Sequence, residues 1–133
     1  DGTHETFDPV FGAAAKYYGR MNLFSWKNLH DYQVDISMRP QSRIKTVLSY
    51  HCFRLAEAED WWYHCSGKSQ RCDRTGGSGT DVGQEVDVTF DASITKDLKM
   101  QGGYAHFFPG EFVKETGDHE DADWFFFQTV MSF

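Results

Sequence analysis

Beyond residue 30 the chain alternates hydrophobic and polar positions with a period of two. Tyr32, Val34, Ile36 and Met38 interleave with Gln33, Asp35, Ser37 and Arg39. Ile44, Thr46, Leu48, Tyr50 and Cys52 interleave with Lys45, Val47, Ser49, His51 and Phe53. The cleanest run sets Val86, Val88, Phe90, Ala92 and Ile94 against Glu85, Asp87, Thr89, Asp91 and Ser93. Leu98, Met100, Gly102, Tyr104 and Phe108 form a fourth series, and Phe125, Phe127, Thr129, Met131 and Phe133 a fifth. Successive side chains of a strand point to opposite faces, so the pattern predicts strands with one apolar and one largely polar face. No stretch carries a convincing helical period. The expected class is all-β, with strands over 31–39, 43–55, 83–95, 98–109 and 123–133.

The connections sort by length. Residues 39–43 and 95–98 are tight turns, with Pro40 and Asp97 in turn-favouring positions. Residues 56–82 and 109–122 are long, polar and charged. Loops this long are unusual in a compact soluble domain. Strict alternation of short and long connections is what an outer-membrane barrel shows, with turns on the periplasmic side and loops outside. The pattern therefore predicts an antiparallel up-and-down meander, part of a transmembrane β-barrel, in the bacterial outer membrane. Residues 1–133 form a single barrel segment, with 1–30 as an outer loop region and 31–133 as the five-strand meander.

Composition narrows the function. Lys and Arg total 13 against 20 Asp and Glu, a net charge of −7, which argues against nucleic acid as a partner. Aromatic residues make up 17% of the chain, which excludes disorder. The longest aromatic run, Trp124 to Phe127, is far short of the ~20 apolar residues of a membrane-spanning helix. No nucleophile elbow, P-loop or dinucleotide fingerprint is present, and the scattered histidines form no HExxH pattern. No catalytic residue, cofactor or metal is expected. The acidic group Asp118, Glu120, Asp121 and Asp123 beside His119 reads as a solvated loop. Cys65 and Cys72 bracket a polar, Gly-containing stretch and favour a small loop-closing disulfide over a zinc site or reduced thiols. The chain opens on Asp1 without a signal-like segment, so a processed or cut product is expected.

The stretch Gly103-Tyr104-Ala105-His106-Phe107-Phe108-Pro109-Gly110-Glu111-Phe112, followed by Asp121-Ala122-Asp123-Trp124-Phe125-Phe126-Phe127-Gln128, resembles the C-terminal end of alginate-export-type outer-membrane β-barrels. Residues 48–56, 82–87 and 7–12 also fit that family's pattern, as does Asn22-Leu23-Phe24. The resemblance implies a porin-like protein that passes a polar solute or polysaccharide. Such barrels are much longer, and this chain resembles only their last several strands. About eight strands make the smallest barrel with a fillable interior, so five leave two open edges. Membrane lipid, and either missing barrel strands or another chain at both edges, are the expected partners.

Within that reading the polar faces line a pore through Asp35, Arg39, Lys45, His51, Glu85, Asp87, Asp91 and Lys99. That lining is mixed and slightly acidic, whereas a conduit for a polyanion should be rich in Arg and Lys. Trp61, Trp62, Tyr104, Phe108 and Trp124 fall near strand ends on the outer side and are expected to form an aromatic girdle. Phe133, with Met131 and Phe127, resembles the C-terminal signal read by the barrel-insertion machinery. The rival readings are an accessory β subunit docked on a larger membrane assembly and a soluble lipocalin-like barrel for a small ligand.

Overall fold

A computed structural model describes Phe7 and residues 17–133. Five long strands form one antiparallel sheet: β1 (Leu29–Gln41), β2 (Ile44–Leu55), β5 (Asp81–Ser93), β6 (Leu98–Pro109) and β7 (Ala122–Met131). Their order in space is their order in the chain, β1-β2-β5-β6-β7, an up-and-down meander. Gln41 pairs with Ile44 across a two-residue turn. At the next hairpin the Thr95 hydroxyl accepts from the amides of Asp97 and Leu98. The long connections carry structure of their own. The first holds a small hairpin of β3 (Trp62–Tyr63) and β4 (Ser69–Arg71), and the second a short helix, α1 (Glu111–Thr116).

The strands fall where alternation places them, to within a few residues. The helix corrects the all-strand-and-loop expectation. Among the described residues the sheet does not close: β1 and β7 each lack a neighbour on one side. Among the described residues the meander is thus an open five-stranded wall rather than a closed cylinder.

The hydrophobic core sits at one end, under the long connections. Phe24 lies between Phe53 and Trp62, with ring centroids 4.1 and 5.3 Å away. Leu29, Leu55, Val82, Phe107, Phe112 and Val113 complete the cluster. Residues 17–28, expected only as outer loop, fold back across one face of the sheet to reach it. Arg71 ties α1 down by donating from Nη1 to the Val113 carbonyl.

Below this cluster the two faces of the sheet are inverted relative to a water-soluble protein. Val34, Ile36, Leu48, Val88, Phe90, Phe125 and Phe127 are all exposed, Phe125 at 81%. On the opposite face His51, Glu85, Asp87 and Thr89 are buried. Water normally enforces the reverse, because exposing apolar surface costs roughly 25 cal/mol per Å².

Candidate functional site

Alternation along β1, β2 and β5 sends Asp35, Lys45, His51, Glu85, Asp87 and Asp91 to one face. The register then makes them neighbours: His51 pairs with Glu85, Ser49 with Asp87 and Lys45 with Asp91, while Asp35 pairs with Ser49. Between them lies a cavity of about 240 Å³, bordered by Asp35, Lys45, His51, Asp87 and Asp91 and closed above by Gly19 and Arg20. Five of the eight expected pore-lining residues therefore meet in one space. Glu85 lies just above it and is fully buried. Arg39 and Lys99 stand nearer the short turns and are exposed.

The roof is a strap formed by residues 17–28. The amides of Arg20 and Met21 donate to Asp87 Oδ2 and Glu85 Oε1, each at 3.0 Å. Gly19 makes this approach possible. Its φ of +77° suits glycine, and a Cβ there would stand 2.5 Å from the Glu85 carboxylate. Asn22 and Asn28 also adopt positive φ, the left-handed conformation Asn tolerates best among non-glycine residues. Asn28 anchors the strap's end by accepting from the Glu57 amide and donating to the carbonyls of Glu57 and Trp61.

The ionic groups are unevenly satisfied. His51 Nδ1 contacts the Asp31 carboxylate at 3.0 Å, and its Nε2 lies 3.7 Å from Asp87 Oδ2. Gln33 donates to both oxygens of Asp35, and Gln101 to Asp91 Oδ1. Glu85 Oε2 and Asp87 Oδ1 are buried and accept from no donor among the described residues, while the two carboxyl groups themselves lie in hydrogen-bonding contact. Such orphaned oxygens are costly, so each calls for an explanation.

The aromatic residues divide. Tyr104 and Phe108 stand exposed on the apolar face. Trp61 is half-buried beside the small hairpin. Trp62 is a core residue, 7% exposed, which corrects its place in the girdle. Trp124 pairs with Ala105, which sets it on the inward face, stacked on Phe126. On β7, Phe127 and Met131 project from the apolar face, while Phe133 lies beyond the strand.

The cysteines correct a second expectation. Cys52, Cys65 and Cys72 are all free. The small hairpin explains why. Trp62 pairs with Arg71 and Tyr63 with Ser69, so Cys72 lies at the ladder's open end. Cys65 belongs to the tip, where the Gly67 amide bonds back to His64. Cys72 instead donates to the Glu59 carbonyl. In the following loop the Asp73 carboxylate accepts from the amides and hydroxyls of Thr75 and Ser78, which holds it well below the usual carboxylate range.

Arg20 and the Gly19 turn are site residues that alternation could not find, because 17–28 has no strand or helix period. Among the described residues, no group of three or more His, Cys, Asp or Glu side chains is placed to hold a metal ion.

The family model described as alginate export covers residues 1–127. Neither curated proteins nor solved structures give a match.

Proposed function

We propose that this chain, which belongs to the alginate-export family, forms part of the wall of an outer-membrane β-barrel through which a polar solute passes. The inverted sheet carries the reading. An apolar face that includes Val34, Val88, Phe90 and Phe127 stands exposed, uncovered by any of the described residues, and a lipid environment turns that exposure from a cost into a gain. The opposite, ionic face then lines the conduit. Its part in transport is passive, with no bond made or broken.

The free edges of β1 and β7 fit the same reading. Unpaired backbone groups in hydrocarbon cost several kcal/mol each, so further strands, in the same polypeptide or another chain, complete the barrel. Nitroxide labels at Val88, Phe90 and Phe127 of the folded protein in lipid vesicles test the assignment. They are expected to meet oxygen-rich hydrocarbon, and labels at Lys45 and Asp91 to meet water. A monodisperse, water-soluble monomer without detergent is the result that overturns it.

A further inference from the structure

We propose that the Gly19–Met21 turn of the strap is a movable constriction at the loop end of the conduit, latched by one proton that Glu85 and Asp87 share. The proposal rests on the solute-conduit reading, in which the ionic face of the sheet is the lumen wall, and adds regulation to it.

The strap crosses the ionic face, on the side where Asp35, Lys45 and His51 meet, so within a barrel it occupies the lumen. Its two ends are held differently. Phe24 is fixed in the core, and Asn28 is bonded to Glu57 and Trp61. The Gly19–Met21 turn instead reaches the sheet through amides that donate to Asp87 Oδ2 and Glu85 Oε1. Those two carboxyl groups are buried and also touch each other. Carboxyl groups in hydrogen-bonding contact hold a proton between them, because an ionised carboxylate can only accept and two buried charges so close repel. One shared proton supplies the donor that Glu85 Oε2 and Asp87 Oδ1 otherwise lack among the described residues.

The groups around the pair are few. Across from Glu85, β2 presents His51 and β6 presents Phe107; across from Asp87 they present Ser49 and Ala105. His51 Nε2 lies 3.7 Å from Asp87 Oδ2, and its Nδ1 is engaged by Asp31 of β1. Asp35 and Lys45 border the same cavity, as does Arg20 of the strap, and Lys45 stands across from Asp91. The charged groups of α1, Glu111, Lys114 and Glu115, are exposed. Lifting the turn admits water, in which both carboxyl groups ionise above about pH 5. The closed turn therefore holds one proton more than the open one. By linkage, rising pH opens it and falling pH closes it.

Trypsin reads the latch, because Arg20 offers a cleavage site inside the turn and the exposed Lys68, at the tip of the small hairpin, a reference site outside it. The folded protein in detergent micelles is digested between pH 6.5 and pH 9, and the rate of cleavage after Arg20 is divided by that after Lys68. The ratio is expected to rise at least about tenfold, since one proton released per opening allows up to tenfold per pH unit. Glu85→Gln keeps an acceptor for the Met21 amide and puts a permanent donor beside Asp87. Its ratio is expected to stay low at every pH. A wild-type ratio that does not change with pH overturns the latch. So does a Glu85→Gln ratio that still climbs, which assigns the titration to His51. Unit conductance in planar bilayers tests the constriction and is expected to rise with pH in the wild type and stay constant in Glu85→Gln. Constant conductance beside a climbing ratio overturns the constriction alone. No conductance at any pH overturns the conduit reading and the constriction with it, and a climbing ratio then leaves a proton-latched turn with no passage to narrow.

Discussion

Asp87 and Val88 are adjacent in sequence and opposite in surroundings: 2% and 41% exposed. Period-two reasoning made that contrast legible, and with it the meeting of Asp35, Lys45, His51, Asp87 and Asp91. The contrast has an energetic counterpart. Val88→Arg is expected to destabilise the bilayer-folded protein by about 2–4 kcal/mol, the cost of a cation near the midplane of the lipid face. Were that face in water, the same change would fall within roughly 0.5 kcal/mol. Urea titrations in lipid vesicles distinguish the two values. Residues outside the strands were less legible. Gly19 looks like any loop glycine until the Glu85 carboxylate is seen against it. Gly19→Ala is expected to lift the strap, read as faster exchange of the Arg20 and Met21 amides. Trp62 and Trp124 were misplaced because an aromatic near a strand end does not declare which face it takes.

The long strands announce themselves through ten or more residues of alternation, whereas α1 cannot. Six residues give less than two turns, and adjacent Phe112 and Val113 set up no period. Its anchoring is tertiary: Phe112 is fully buried in the loop-end core. Phe112→Ala is therefore expected to cost about 3–5 kcal/mol in the same urea titration. The hairpin of β3 and β4 is shorter still, and its register fixed what cysteine spacing could not. Thiol labelling of the unfolded, unreduced chain is expected to add three groups. The neighbouring turn has a pH signature. Because the Asp73 carboxyl is held below its ordinary value, its contribution is present above the unfolded pKa of ~3.9 and lost only as pH falls through the lower folded value. The Thr75 and Ser78 amide shifts are expected to stay constant through pH 4 and move well below it.

At the scale of the molecule, the sequence pattern disclosed a meander of alternating short and long connections. It did not disclose that the first described segment, 17–28, would turn inward. Nothing local distinguishes a strap from a surface loop; what holds it are hydrogen bonds from its backbone amides to carboxylates more than sixty residues away. The two bare edges have a measurable consequence. In detergent-free buffer the isolated 133-residue chain is expected to scatter light as large assemblies, since unguarded strands template one another. The placement of the core adds a temporal one. Phe24, Phe53, Trp62, Phe107 and Phe112 seclude one another from water without help from lipid, whereas the turn-side half of the sheet has no comparable cluster among the described residues. Maturation should therefore be polar in time, with the loop end consolidating while the remainder is still fluid. Pulse-labelled hydrogen exchange during refolding into vesicles would then register protection at Phe53 and Phe107 before Val47 and Thr129.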